Sequence, residues 1–261
     1  MERSGELEGM QNYKAVVRYA GTPFSGWQVQ PAERTVQGDL MAAMERIAGQ
    51  PVRVHGASRT DAGVHALAQV CSFRWPKDVD PERLRRSLSA MLSPDIRVDT
   101  LEPAPEAFHA RKSAKAKRYC YAFDTGREPD PFLAPYVWTA HRDTDVNLLR
   151  AICGRLEGEH DFAGFESSRA APKHSTVRTL YRVTLEEGGV VSHPSARDVW
   201  RLEYFGSGFL YKMVRNMTGT LMEIARGHLP QSRLEEALAA PGPYLGYTAP
   251  AHGLTLMEVL Y

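Results

Sequence analysis

Residues 13–51 read YKAVVRYAGTPFSGWQVQPAERTVQGDLMAAMERIAGQP, a strand pattern followed by a helix pattern. Tyr13, Ala15, Val17 and Tyr19 alternate with Lys14, Val16 and Arg18, which predicts a strand with one mainly apolar face, closed by Gly21, Thr22 and Pro23. Behind Thr35, a good N-cap, Val36, Leu40, Met44 and Ile47 recur at helical spacing until Gly49 and Pro51 end the run. Gly38 inside that helix costs about 1 kcal/mol relative to alanine, so its place there points to close packing. Further on, 52–57 and 67–75 read as strands, the second with Leu67, Gln69, Cys71, Phe73 and Trp75 on one face. Asp80 as cap and Pro81 at the first helical position open a helix with a Leu84, Leu88, Met91 stripe, and 96–101 closes as a strand. Strand, helix, strand, strand, helix, strand is the order of a split β-α-β unit, with helices on one face of a mostly antiparallel sheet.

The same order returns after the connector EPAPE at 102–106: strand 118–124, helix stripe Leu148, Leu149, Ile152 and Leu156, strands 176–185 and 199–204, a long stripe from Leu210 to Ile224, and strand 254–259. The expected fold is therefore α+β, two similar split β-α-β (ferredoxin-like) halves in one continuous sheet. Residues 1–12 form an extension, 13–105 the first subdomain and 106–261 the second. The segments 165–173 and 241–250 are expected as rims.

The chain of 261 residues is 43% hydrophobic and 24% charged, a globular composition long enough for one large or two small cores. Neither a membrane-spanning run nor a secretory leader is expected, and cysteines at 71, 120 and 153 without a Cys-x-x-Cys pair suit buried thiols in the cytoplasm. With 32 basic and 31 acidic residues the net charge is only +1, so a polyanion must be met by a local patch. The run RKSAKAKR at 111–118, five cations in eight residues, is the candidate, against the plainer reading of a solvated loop.

Four stretches carry possible chemistry. GASRTDAGVHA at 56–66 places Arg59, Asp61 and His65 on a loop between two strands. An arginine two residues from a carboxylate favours its ionised form and a nucleophilic or basic role, although a salt bridge that only fixes the loop has the same residues. Phe108, His109, Arg111, Lys115, Arg118, Tyr119 and Tyr121 combine aromatics with cations, as a flipped base and its phosphates require, or as a core requires tyrosines. Phe209, Lys212, Arg215 and Asn216 border an apolar helix stripe, where Arg215 can be a buried counter-ion or a surface pair. Phe24 and Trp27 among Gly21 and Gly26 suggest a packing plug in preference to a ligand rim. Phosphate-loop, dinucleotide and zinc-protease motifs are missing from the sequence; Gly-Ser-Gly at 206–208 before a helix is a weak anion signal.

Taken together, YAGTPFSGWQVQ with TVQGDL (35–40), SRTDAGVHA (58–66), FHARKSAKAKRYCY (108–121), GSGFLYKMVRNMTG (206–219) and APAHGLTL (249–256) resemble the tRNA pseudouridine synthase A family, from about residue 13 to 261. The resemblance implies a catalytic aspartate at Asp61 with Arg59 beside it, an active-site tyrosine at Tyr119 and a second arginine, Arg215, that pairs with the aspartate. His65, Arg111, Lys115, Lys117, Arg118 and Phe209 would then face the substrate. It also implies a homodimer with a positively charged cleft, tRNA as partner with targets in the anticodon stem-loop, no membrane, and no cofactor or metal. One departure is visible: Tyr19-Ala20-Gly21 stands where members commonly have Tyr-Asp-Gly.

The reaction so implied cuts the N1–C1′ bond of uridine, turns the base and rejoins it through C5, with no redox change. A carboxylate can serve by attack at C1′, by taking a sugar proton, or by attack at C6, and residue identity leaves all three open. Two arginines would keep Asp61 charged in a partly dry site, and Tyr119 would stack on the base or take the C5 proton. An RNA-binding module without bond-making and a small-molecule lyase are the competing classes.

Overall fold

The computed structural model describes residues 9–76, 78–126, 128–167, 175–191, 198–239 and 246–261. It divides into two compact units, Met1–Ala114 together with Tyr261, and Lys115–Leu260. Most of the expected 1–12 extension, and parts of the expected rims at 165–173 and 241–250, lie outside the described residues.

In the first unit β1 (Gln11–Tyr19), α1 (Val36–Ala48), β2 (Val54–Gly56), β3 (His65–Trp75), α2 (Pro81–Met91) and β4 (Ile96–Pro103) follow the predicted order. The strands lie β4-β1-β3-β2, each antiparallel to its neighbour. Thr35 caps α1 by accepting from the Gly38 N–H at 3.2 Å, and Asp80 caps α2 by accepting from Glu82 N–H at 3.0 Å. The cap also accounts for Gly38: a Cβ there would lie 2.9 Å from the Thr35 hydroxyl oxygen.

Val36, Leu40 and Met44 of α1 and Leu84 and Leu88 of α2 are buried, whereas Met91, expected in the α2 stripe, is exposed at the helix end. β3 differs from its one-faced expectation. Val70, Cys71, Ser72 and Phe73 are buried in succession, so the strand is covered on both sides, and only Leu67 near its start is open. The predicted strand 52–57 shortens to three residues.

Residues 104–113 remain anchored to the first unit, beyond the expected connector. Asn12 Nδ2 donates to the Pro105 and Phe108 carbonyls at 2.8 and 3.0 Å, and Ala110 N–H donates to Ser72 Oγ at 3.1 Å. The Tyr261 hydroxyl donates to the Ala110 carbonyl at 2.8 Å, and its ring lies 4.9 Å from Phe108.

In the second unit β5 (Ala116–Asp124), β6 (Trp138–Thr139), α3 (Val146–Cys153), β7 (Gly158–Asp161), β8 (Val177–Glu187), β9 (Val199–Gly206), α4 (Met213–Ala225), α5 (Arg233–Ala239) and β10 (Leu254–Leu260) follow. The antiparallel order is β10-β5-β9-β8-β7, with β6 parallel to β5. Helix α4 begins at Met213, not at Leu210: Lys212 adopts a left-handed φ of 57°, which breaks the run before the helix. On the other side of that break, Ser207 is tied to Thr179 through backbone and side chain, so the Gly-Ser-Gly stretch is no helix N-terminus. No described helix is long and apolar enough to cross a membrane.

Candidate active site

The loop that carries Asp61 is held by its neighbours' backbone. Trp27 N–H donates to Thr60 O at 3.0 Å and Gly63 N–H to Phe24 O at 3.3 Å. Gly26, at φ +97°, sits so close that a Cβ would lie 2.7 Å from Thr60 O, and Gly21 presses on the Val64 carbonyl in the same way. Phe24 and Trp27 are buried beneath this contact, a plug as expected. Thus the glycines and aromatics of the first motif are the seat of the second.

Polar side chains finish the seat from below. The Tyr19 hydroxyl and Thr60 Oγ1 share a 2.8 Å hydrogen bond. Gln69, fully buried in β3, accepts from Ser58 N–H at 3.1 Å and donates to Ser58 O at 2.8 Å and to the Tyr19 hydroxyl at 3.4 Å. Sequence reading put Gln69 on the apolar face of its strand and missed this clamp; an amide at a core position was the available signal.

Asp61 is half-buried at the turn that follows, where Val64 N–H donates to its carbonyl at 3.1 Å. Arg59 is exposed, makes no ion pair among the described residues, and lines a hollow with Arg53, His55, His109, Arg111 and Lys112. The expected Arg59–Asp61 salt bridge is therefore not formed: Arg59 lines the hollow instead. His65, expected to face substrate, is 3% exposed and its Nδ1 accepts the Gly21 N–H at 2.9 Å, so its place is behind the loop.

The remaining expected residues belong to the second unit, Arg111 excepted. Tyr119 of β5 is 5% exposed, with its ring edge-on to Phe209 at 5.1 Å, so those two do come together. Arg215, in the first turns of α4, donates from Nε to the Ala249 carbonyl at 2.8 Å and its carbonyl receives Ala249 N–H at 3.1 Å. His252 feels that guanidinium: burial first, then Arg215, hold its imidazole below the usual histidine range. Asn216 is fully buried and donates to Phe165 O and Ser167 Oγ while accepting from Thr248, so it braces the helix.

Lys115 is exposed and Lys117 half-buried. Arg118 lies 3.6 Å from Glu203, 3.4 Å from Glu258 and over the Phe205 ring, so two carboxylates already attend this cation of the basic run. Their partners come from β9 and β10, which the local sequence does not reveal. Groups of histidine, cysteine, aspartate and glutamate able to hold a metal ion are absent among the described residues.

The family model described as tRNA pseudouridine synthase matches residues 15–111 and 152–261. The chain belongs to the tRNA pseudouridine synthase family. It is 39% identical over 254 residues to tRNA pseudouridine synthase A of Streptococcus mutans, which covers 97% of this chain and 99% of that one. With tRNA pseudouridine synthase A of Brevibacillus brevis the identity is 38% over 253 residues, covering 97% and 100%. With tRNA pseudouridine synthase A 1 of Protochlamydia amoebophila it is 38% over 258 residues, covering 97% of each. Membership in the tRNA pseudouridine synthase family makes the chain an isomerase.

Proposed function

We propose that this isomerase converts uridines in the anticodon stem-loop of tRNA to pseudouridine, with Asp61 as the reacting carboxylate and Arg215 and Tyr119 completing its site. The observation that carries the assignment is the seat of Asp61: a half-buried carboxylate on a loop pinned through Thr60, Ser58 and Gly63 by Trp27, Gln69 and Phe24. Such pinning is what a group must have if it is to meet one carbon of a substrate repeatedly in the same geometry.

In this reading each unit is one ferredoxin-like half. The strand order β4-β1-β3-β2 of the first unit and β10-β5-β9-β8 of the second are the same in chain-order terms, which favours it. Arg215 of α4 is the arginine this reading pairs with Asp61, in place of Arg59, which is exposed. Tyr119, packed against Phe209, is the ring on which an extruded uracil would stack. Lys115, Lys117 and Arg111 meet phosphate. Extruding the nucleotide costs a few kcal/mol, offset by stacking and charge contacts. The enzyme works as a homodimer, for which the Tyr181–Phe205 pair at 5.2 Å, with Tyr181 half exposed, offers apolar surface. Three free, buried thiols suit the cytoplasm. The chemistry needs no cofactor and no metal.

The test is Asp61→Asn on an unmodified tRNA transcript, with pseudouridine mapped by carbodiimide tagging. Turnover should vanish while tRNA affinity stays within a few-fold; a variant near wild-type turnover would refute the assignment. Deuterium at C2′ of the target uridine separates the routes, since only sugar-proton removal should slow.

A further inference from the structure

Besides the Asp61 loop, the first unit holds a hollow of about 650 Å³ that the sequence reading did not foresee. Six of its lining side chains are Arg53, His55, Arg59, His109, Arg111 and Lys112, and none is a carboxylate. None of the four arginine and lysine side chains forms an ion pair among the described residues. What marks the hollow is that these unpaired cations converge on one lining that holds no acid, whereas arginines such as Arg18, Arg85 and Arg118 are matched with acids. Concentrated like charge in a concave site destabilises the empty protein, and an anion relieves it.

The two histidines are positioned by the fold. His55 lies on β2 and its ring stacks 4.9 Å from His109, at 33° between planes. His109 Nδ1 accepts from the backbone N–H groups of Arg111 and Lys112 at 3.1 and 3.4 Å, which leaves the proton of its neutral ring on Nε2. Its loop is anchored through Ala110 to β3 and to Tyr261, so the arrangement is preformed. Arg59, on the rim, stands two residues before Asp61, a span of about 7 Å at most. A nucleotide laid against Asp61 therefore brings its own backbone within reach.

The geometry points to a subsite for an RNA phosphodiester, gripped by Arg53, Arg59, Arg111 and Lys112 and strengthened when His55 takes up a proton. This inference rests on the reading of the chain as an enzyme acting on RNA. Among the described residues, the charged groups that line the hollow with His55 are Arg53 before its strand, Arg59 after it, and His109, Arg111 and Lys112 from the opposing loop, all cations or the second imidazole. Burial first, then His109, Arg53 and Lys112, keep the empty site's His55 below the ordinary histidine range. A bound phosphate reverses the electrostatic part, so binding takes up a proton and affinity rises as pH falls.

The experiment measures binding of an unmodified tRNA transcript at pH 6 and pH 8 across a salt series. The proteins are the wild type, Arg53→Ala/Lys112→Ala, His55→Gln, and Arg46→Ala as a cation outside the hollow. The double variant should lose about tenfold or more in affinity, and its log K against log salt slope should become shallower by about 1.5, two phosphate contacts' worth. The wild type should bind about threefold tighter at pH 6 than at pH 8, and His55→Gln should lose most of that gain. Wild-type slope and affinity in the double variant would overturn the subsite, as would an effect no larger than that of Arg46→Ala. A pH ratio unchanged in His55→Gln would overturn the histidine part. Pseudouridine formation by the wild type is scored separately on the same transcript: its absence counts against the proposed reaction, whereas the affinity and slope results bear on the hollow alone.

Discussion

Gln69→Met isolates the clamp beneath the Asp61 loop. Methionine has a similar volume and no branch, so the site stays filled and the change is confined to hydrogen bonding. Two bonds to the Ser58 backbone at 2.8 and 3.1 Å are removed, along with the longer one to Tyr19. Each such bond contributes about 1 kcal/mol, and desolvated groups deprived of a partner cost about 1–3 kcal/mol more. Ser58 is half-buried, so water offsets part of that, and the expected loss is about 2–4 kcal/mol. Urea unfolding should show a lower midpoint at unchanged slope. The loop is also released three residues from the reacting carboxylate, and a displacement near 1 Å lowers rate on the order of a hundredfold. Turnover of the tRNA transcript should therefore fall on that scale, with substrate affinity little changed. Stability within about 0.5 kcal/mol of wild type, together with turnover within a factor of two, would refute the claim that Gln69 seats the loop.

Gly26→Ala forces a side chain into a +97° φ and against the Thr60 carbonyl, so it should reduce turnover more than it reduces tRNA binding in a filter assay. Thr35→Ala removes the α1 cap and should cost about 1 kcal/mol in chemical denaturation, without effect on turnover at 25 °C. Burial pushes the Cys71 and Cys120 thiols from 9.0 up to about 12, so each favours the fold fully below pH 9 and loses that contribution as pH climbs toward 12. At pH 10.5 each should have lost about 2 kcal/mol; urea midpoints at pH 8 and 10.5 for the wild type and Cys71→Ala measure the difference, which should narrow in the variant.

What the sequence made legible was local. The alternation through Tyr13–Tyr19, the Thr35 cap and the Asp80-Pro81 start each depend on residues within one turn or one pleat, and those elements appear where expected. Likewise Phe24 and Trp27 between glycines read as a plug and are one. The misses have non-local causes. Glu203 and Glu258 reach Arg118 from strands that neighbour β5 only after folding, so the basic run looked less attended than it is. His55 belongs to a three-residue strand too short to carry a period, with Arg53 just before it, and its partner His109 lies far along the chain. The start of α4 slipped because hydrophobic spacing from Leu210 to Ile224 is unbroken, whereas the backbone reverses sign at Lys212. Arg59 and Asp61 looked like a pair in one dimension, whereas Arg59 lines the hollow and makes no ion pair among the described residues.

The Tyr261 ring, shut against Phe108 and the Ala110 carbonyl, also bears on the order of events during synthesis. Translation runs from the N-terminus, so the first unit leaves the ribosome with one wall absent and receives it only after all of the second unit has been made. Its basic hollow, built in part from the 109–112 loop beside that ring, becomes fully braced only once residue 261 is in place. A chain cut before residue 261 should therefore hold an anion in that hollow less firmly than one that carries the Tyr261 ring.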